Sequence, residues 1–213
     1  MESNNKYIVA VSRQFGTRGL SISKAVAEKL GVKIVDRNYL TLVCEKFNLT
    51  FEEIEKIKSQ KSNWWNDICH FYSNNVALAA SEGDKKPVNT ITPKALYLAE
   101  TQILKDFTVH ESCVIVGRSA CHIFKDSPNA LKVFIHGPES LRLANTMEKY
   151  HVDEKKAMEM MEDNDKTRDN YVKTFSGKSR YDLRDYDLVI NIDKFSFDEA
   201  VNIIVNAVSS FNK

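Results

Sequence analysis

No charge imbalance marks this chain. Thirty Lys and Arg against 29 Asp and Glu leave a formal net charge of +1, which gives no overall case for a nucleic-acid polymer or an anionic membrane as partner. No apolar run approaches the roughly 20 residues that cross a bilayer. Cysteine is sparse, at four residues (Cys44, Cys69, Cys113 and Cys121), and no two of them form a C-x-x-C pair. With no signal peptide ahead of them, reduced and mostly buried thiols in a cytoplasmic protein are expected. The histidines at 70, 110, 122, 136 and 151 show no metal-ligand spacing. Internal repeats and low-complexity tracts are also missing. What remains is 213 residues with 43% hydrophobic content, enough for the core of one domain with a small inserted lobe. Any binding of anions has to come from local arginines.

Those arginines stand in the most informative stretch, Tyr7 to Gly31. An apolar run, Tyr7–Val11, enters the turn Ser12-Arg-Gln-Phe-Gly-Thr-Arg-Gly19. A helical pattern follows, with Leu20, Ile22, Ala25, Val26 and Leu30 apolar and Gly31 as its stop. Strand, glycine-containing turn and helix start are the layout of a phosphate cradle, where backbone N–H groups and the positive end of a helix meet anionic oxygens. The usual cradle reads G-x-x-x-x-G-K-[ST]. Here Arg13 holds the place of the first glycine, Arg18 the second, and Gly19 that of the lysine. Ser12, Thr17 and Ser21 add hydroxyls, and the two arginines offer the charge that a lysine normally gives.

The rest of the chain alternates strand and helix. Val32–Asp36, Ser112–Gly117, Ala130–Ile135 and Leu188–Asn191 read as further buried strands. Pro138–Tyr150, Asp153–Tyr171 and a last helix capped by Ser196-Phe-Asp-Glu199 and running to about Ser209 read as helices. Asn38 to Thr108 is mostly helical in pattern, with a capping box at Thr50–Glu53, a loop at Ser81–Pro87 and a helix entry at Thr92-Pro93. Five short strands, each followed by helix, predict an α/β fold with a parallel, doubly wound sheet. Ligands in such sheets bind beyond the carboxyl ends of the strands, where Ser12–Gly19, Asp36 and Gly117-Arg118 fall. Asp36 suits orienting a substrate hydroxyl, holding a metal-bound water, or capping a helix. Asp165-Lys166-Thr167-Arg168, with Arg142 earlier, puts cations on neighbouring helical segments, and the Phe175–Ser179 tail suits a closing lid. Trp64, Trp65, Phe71 and Tyr72 suit core packing, a homodimer contact or, less well, stacking on a base.

In combination these motifs resemble the bacterial cytidylate-kinase-like proteins. The carrying residues are Val11–Gly19, Ile34-Val35-Asp36, Val114–Ala120, Asp165–Arg168 and Tyr186–Asn191, and the likeness covers nearly the whole chain. It implies a P-loop nucleoside-monophosphate-kinase fold. Residues 1–37 and 109–213 would be the core, about 163–184 the lid, and 38–108 an acceptor-binding helical insert. It implies phosphoryl transfer from ATP with Mg²⁺ to a nucleoside monophosphate, cytidylate first among acceptors. Ser12, Phe15, Gly16, Thr17, Gly19 and Ser21 would bind the donor phosphates, and Arg13, Arg18, Lys166 and Arg168 would be catalytic. Arg118, Arg142 and Asp36 would bind the acceptor, and Ser21 and Asp36 the metal. Two departures stand out: Gly19 replaces the cradle lysine, and Val116 replaces an acid at the end of the third strand. They leave open a binding module without turnover, or a small-molecule kinase with a non-nucleotide acceptor.

Overall fold

The computed structural model describes residues 6–36 and 93–211. Five strands form one parallel sheet: β1 (Ile8–Arg13), β2 (Lys33–Val35), β3 (Cys113–Val116), β4 (Ala130–His136) and β5 (Leu188–Asn191). Their spatial order is β2-β3-β1-β4-β5. The described helices are α1 (Gly19–Leu30), α2 (Pro93–His110), α3 (Ala120–Ile123), α4 (Glu139–Tyr150), α5 (Glu154–Ser176) and α6 (Phe197–Phe211). The chain divides into two compact units, 1–38 with 106–213, and 39–105. In the second unit the description covers only residues 93–105 of α2, where Pro93 takes the first helical position. A proline costs nothing there, because its missing N–H has no partner to lose. The expected capping box at Thr50, the loop at Ser81–Pro87 and the aromatics Trp64, Trp65, Phe71 and Tyr72 lie outside the described residues.

The strands are apolar on both faces because both faces are covered. Val9 and Val11 of β1 are fully buried and join Val114, Val116, Leu131, Val133 and Ile135 in one core. The apolar stripe of α1 (Ile22, Val26, Ala27) and that of α6 (Ala200, Val201, Ile204, Val208) belong to the same core. Each Val, Leu or Ile among them contributes about 1.5–3 kcal/mol on burial. On the opposite face Ala10 meets α3, and the Cys121 thiol lies 3.3 Å from the Ala10 carbonyl. Cys113 and Cys121 are both buried and free, and burial pushes each thiol up to about 12. No described helix is long and apolar enough to cross a membrane.

The ends of β1 and α5 extend past the sequence pattern. β1 continues past its apolar run through Ser12 and Arg13, because β4 extends beside it and pairs both residues with Phe134 and Ile135. Helix α5 continues to Ser176, where Gly177 takes a left-handed φ of 71° and stops it. The predicted capping box at the start of α6 forms. Glu199 Oε2 accepts from the Ser196 N–H at 2.8 Å, and Ser196 Oγ accepts from the Glu199 N–H at 3.3 Å.

Candidate active site: an arginine-lined loop

The loop between β1 and α1 is held from several sides. The Gln14 N–H donates to the Ile135 carbonyl at 3.0 Å, which anchors the turn to the end of β4. Thr17, buried, donates its hydroxyl to the Gln14 carbonyl at 2.8 Å. Gly16 has φ +80°, and a Cβ there would come within 2.8 Å of Thr146 Oγ1 and overlap the Arg142 carbonyl. Glycine is therefore required twice over, for conformation and for the close approach of α4. Asn145 of α4 donates to the Gly16 carbonyl at 2.9 Å.

Helix α1 starts without a side-chain cap and without an acid in its first turn. The N–H groups of that turn and the positive end of the helix dipole suit an anion. The residue before it, Arg18, is left-handed at φ 55°. Its side chain pairs with Glu148 of α4 at 3.0 Å, with side-chain exposures of 55% and 72%. The charge of Arg18 is therefore spent on the outer surface.

Arg13 takes the opposite course. A Cβ built on Gly19 would lie 2.8 Å from both Cβ and Cγ of Arg13, and one on Gly117 would lie 2.5 Å from its Nη1. The Arg13 side chain thus runs past the first residue of α1 and ends at the carboxyl end of β3. Burial, with Arg168, Arg180 and Arg118 nearby, lowers its guanidinium to about 9, against the opposing pull of Asp165. At neutral pH it remains a cation, crowded by other cations.

Asp165 of α5 ties this crowd together. Its Oδ1 accepts the Phe15 N–H at 2.9 Å, and its Oδ2 accepts Arg142 Nη1 at 2.7 Å. The same Arg142 nitrogen donates to the Phe15 carbonyl at 3.1 Å. Arg168 and Arg180 approach the carboxylate at 3.9 and 4.0 Å. Both also donate to the Arg13 carbonyl, Arg168 at 3.3 Å and Arg180 more closely. Arg168 lies over the Phe15 ring, 5.6 Å from its centroid. Burial, then Arg180, lowers its guanidinium to about 10.

Arg180 lies 5.6 Å from the Phe134 ring centroid and 5.5 Å from that of Tyr181, two rings that meet edge to face, and donates to Ser12 Oγ at 3.3 Å. Its backbone N–H is fixed by Asp169, which also accepts from Ser179 and pairs with Lys173 at 2.7 Å. Burial opposes the Asp169 charge, but these donors outweigh it and hold the carboxyl below its ordinary value. Arg180 is 4% exposed, yet its Nε and Nη1 have no hydrogen-bond partner among the described residues. The Nε of Arg142 is in the same state. Buried unpaired donors are costly, and an anion or ordered water would satisfy them.

After β3, Gly117, Arg118 and Ser119 are left-handed in succession, at φ 77°, 56° and 53°. A non-glycine residue in that region costs of order 1 kcal/mol or more, and the turn puts Arg118 beside Arg13. The Ser119 hydroxyl there is buried without a hydrogen-bond partner among the described residues.

Among the predicted residues, the structure gathers Ser12, Arg13, Phe15, Gly16, Thr17, Gly19, Arg118, Arg142 and Arg168 at one end of the sheet. The Phe15 N–H, expected in the cradle, is taken by Asp165. Arg18 is turned away to Glu148. Lys166 is exposed on α5 and Ser21 is exposed on α1. Asp36 is half-buried and follows β2, which β3 separates from β1. Two further residues join the gathered set that the sequence does not single out as site residues: Asp165, inside the Asp165–Arg168 motif, and Arg180. No local signal marks Arg180, although it falls within the lid segment of about 163–184 that the resemblance implies.

A family model, the cytidylate kinase-like family, matches residues 8–194. The chain belongs to this family. No curated protein matches it. Among solved structures it is similar to an uncharacterized protein from Eubacterium ventriosum, at 26% identity with a TM-score of 0.68, covering 96% of this chain and 99% of that one. It shares its fold with a shikimate kinase from Acinetobacter baumannii solved with shikimate, at 14% identity and TM-score 0.52, covering 97% and 94%. A gluconokinase from Sinorhizobium meliloti matches at 13% and 0.52, covering 98% and 95%. The fold of this cytidylate kinase-like chain is thus the P-loop kinase fold.

Proposed function

We propose that this member of the cytidylate kinase-like family is a phosphotransferase that moves a phosphoryl group from ATP to a nucleoside monophosphate, with cytidylate the first acceptor to try. The observation that carries the proposal is the convergence of Arg13, Arg118, Arg142, Arg168 and Arg180 on a loop that leads into an uncapped helix N-terminus. Such a set suits an oxyanion such as phosphate, since its net charge is strongly positive while the chain as a whole is nearly neutral.

Catalysis would rest on positioning and on charge placed where the transferring group develops it. The amides of Gly16 to Gly19 would hold the donor phosphates. Arg13, rather than Arg18, would take the part of the cradle lysine. Arg118 and Arg142 would orient the acceptor phosphate. Arg168 would reach the transferring group as the segment 163–184 closes, and Lys166 would add charge at its edge. The Ser21 hydroxyl and the Asp36 carboxylate are oxygen donors of the kind Mg²⁺ takes. Bound with the nucleotide, Mg²⁺ would neutralise phosphate charge. A cytoplasmic setting would supply these substrates.

The apolar Val116 at the end of β3 favours a second reading, a nucleotide-binding module without turnover. A coupled assay of ADP release with ATP, Mg²⁺ and each of CMP, dCMP, UMP, AMP and GMP separates the two. Acceptor-dependent release supports the transferase. ATP binding without release with any acceptor supports the module.

A further inference from the structure

Gly19 has no backbone reason to be glycine. It is the first residue of α1 and lacks a positive φ, so any residue could adopt its conformation. Its tightest constraint is Arg13, whose Cβ and Cγ would lie 2.8 Å from a side chain's first carbon, with Thr17 Oγ1 next at 3.2 Å. Gly117 meets the far end of the same side chain, at Nη1. The sheet explains why one arginine reaches both. Val11 pairs with Val116, and the Gly117 N–H donates to the Val11 carbonyl at 2.9 Å. Gly117 therefore lies beside the end of β1, just where Arg13 leaves it.

We propose that Arg13, Gly19 and Gly117 form one unit that moves the cation of the phosphate loop from its end to its beginning. In the usual motif a glycine opens the loop and a lysine closes it. Here an arginine opens it and a glycine closes it, and the two exchanges compensate: the arginine needs the room that the missing side chain leaves. The relocated charge sits at the end of β3, next to Arg118, rather than on α1. A guanidinium placed there faces both the helix N-terminus and the Arg118 turn, and it suits a phosphate lying between them. Arg18, the other cation of the loop, takes no part, since Glu148 holds it outside. Restoring a lysine at position 19 alone therefore harms the site instead of repairing it.

The ligand in this inference rests on the nucleotide reading above, so the experiment separates the two. ATP affinity, by titration calorimetry with Mg²⁺ held constant, is compared for the native chain, Arg13→Gly, Gly19→Lys and the double variant Arg13→Gly/Gly19→Lys. Each single change is expected to weaken ATP binding at least tenfold, and the double variant to bind more tightly than either. Native-like affinity in Gly19→Lys, or a double variant no better than the product of the two losses, overturns the unit while the nucleotide reading stands. A native chain that does not bind ATP overturns the nucleotide reading itself. Thermal unfolding then decides the unit on packing alone. Gly19→Ala is expected to lower Tm by at least about 3 °C in the native background and by clearly less in the Arg13→Gly background, where only the contact with Thr17 Oγ1 remains. Equal losses in both backgrounds overturn it.

Discussion

The carboxylate of Asp165 accepts the N–H of Phe15 at 2.9 Å, across 150 residues of chain. One acid on α5 thereby clamps the loop between β1 and α1, and with Arg142 it ties α4 into the same joint. The side chains of Arg142 and Asp165 are only 11% and 12% exposed. Removing one partner of such a pair leaves the other charge buried and uncompensated. Asp165→Ala is expected to cost about 3 kcal/mol of unfolding free energy, measured by urea denaturation. A loss below about 1 kcal/mol, the size of a surface pair, contradicts the clamp.

Arg18 provides the contrast. Its ion pair with Glu148 is exposed and contributes at most about 1 kcal/mol, while its left-handed φ of 55° favours glycine by a similar amount. Arg18→Gly is expected to leave stability within about 1 kcal/mol of native and ATP affinity within about threefold. A large loss of affinity would return Arg18 to the site.

Arg118 is expected to serve the acceptor. Arg118→Ala should lower kcat/KM for the acceptor by about 10²–10³ and leave ATP binding nearly intact, as read by steady-state kinetics beside calorimetry. Unchanged acceptor kinetics remove Arg118 from the site.

The pH dependence of stability has a definite sign at Asp169. Donors from Lys173, Ser179 and Arg180 depress its folded pKa. Its contribution is therefore present above the ordinary carboxylate value and lost as pH falls through the lower folded value. Tm of the native chain should drop more steeply below about pH 4 than that of Asp169→Asn. Parallel curves contradict the role given to Asp169.

Much of the architecture was legible because it is local. The run Tyr7–Val11, the stop at Gly31 and the Ser196–Glu199 box each carry their signal within a few residues, and a parallel sheet covered on both faces demands the apolar strands that were found. The Gly117-Arg118 turn was legible for the same reason, since it follows a buried strand directly. The site was legible only in part. The sequence exposed the substitutions at Arg13 and Gly19 separately; that one side chain explains both depends on the packing of β1 against β3. Arg180 reaches Ser12 from 168 residues away, and no short motif encodes that meeting. Arg18 shows the converse: its position in the loop suggests phosphate, while Glu148, on a distant helix, pairs with it on the outer surface.

The most direct measurement is ADP release from ATP and Mg²⁺ with CMP or dCMP, run for the native chain beside Arg13→Met. The account predicts acceptor-dependent turnover by the native chain and a fall of about 10² or more in kcat/KM for the variant. Equal turnover by the two proteins, or none by the native chain with any nucleoside monophosphate, would contradict it.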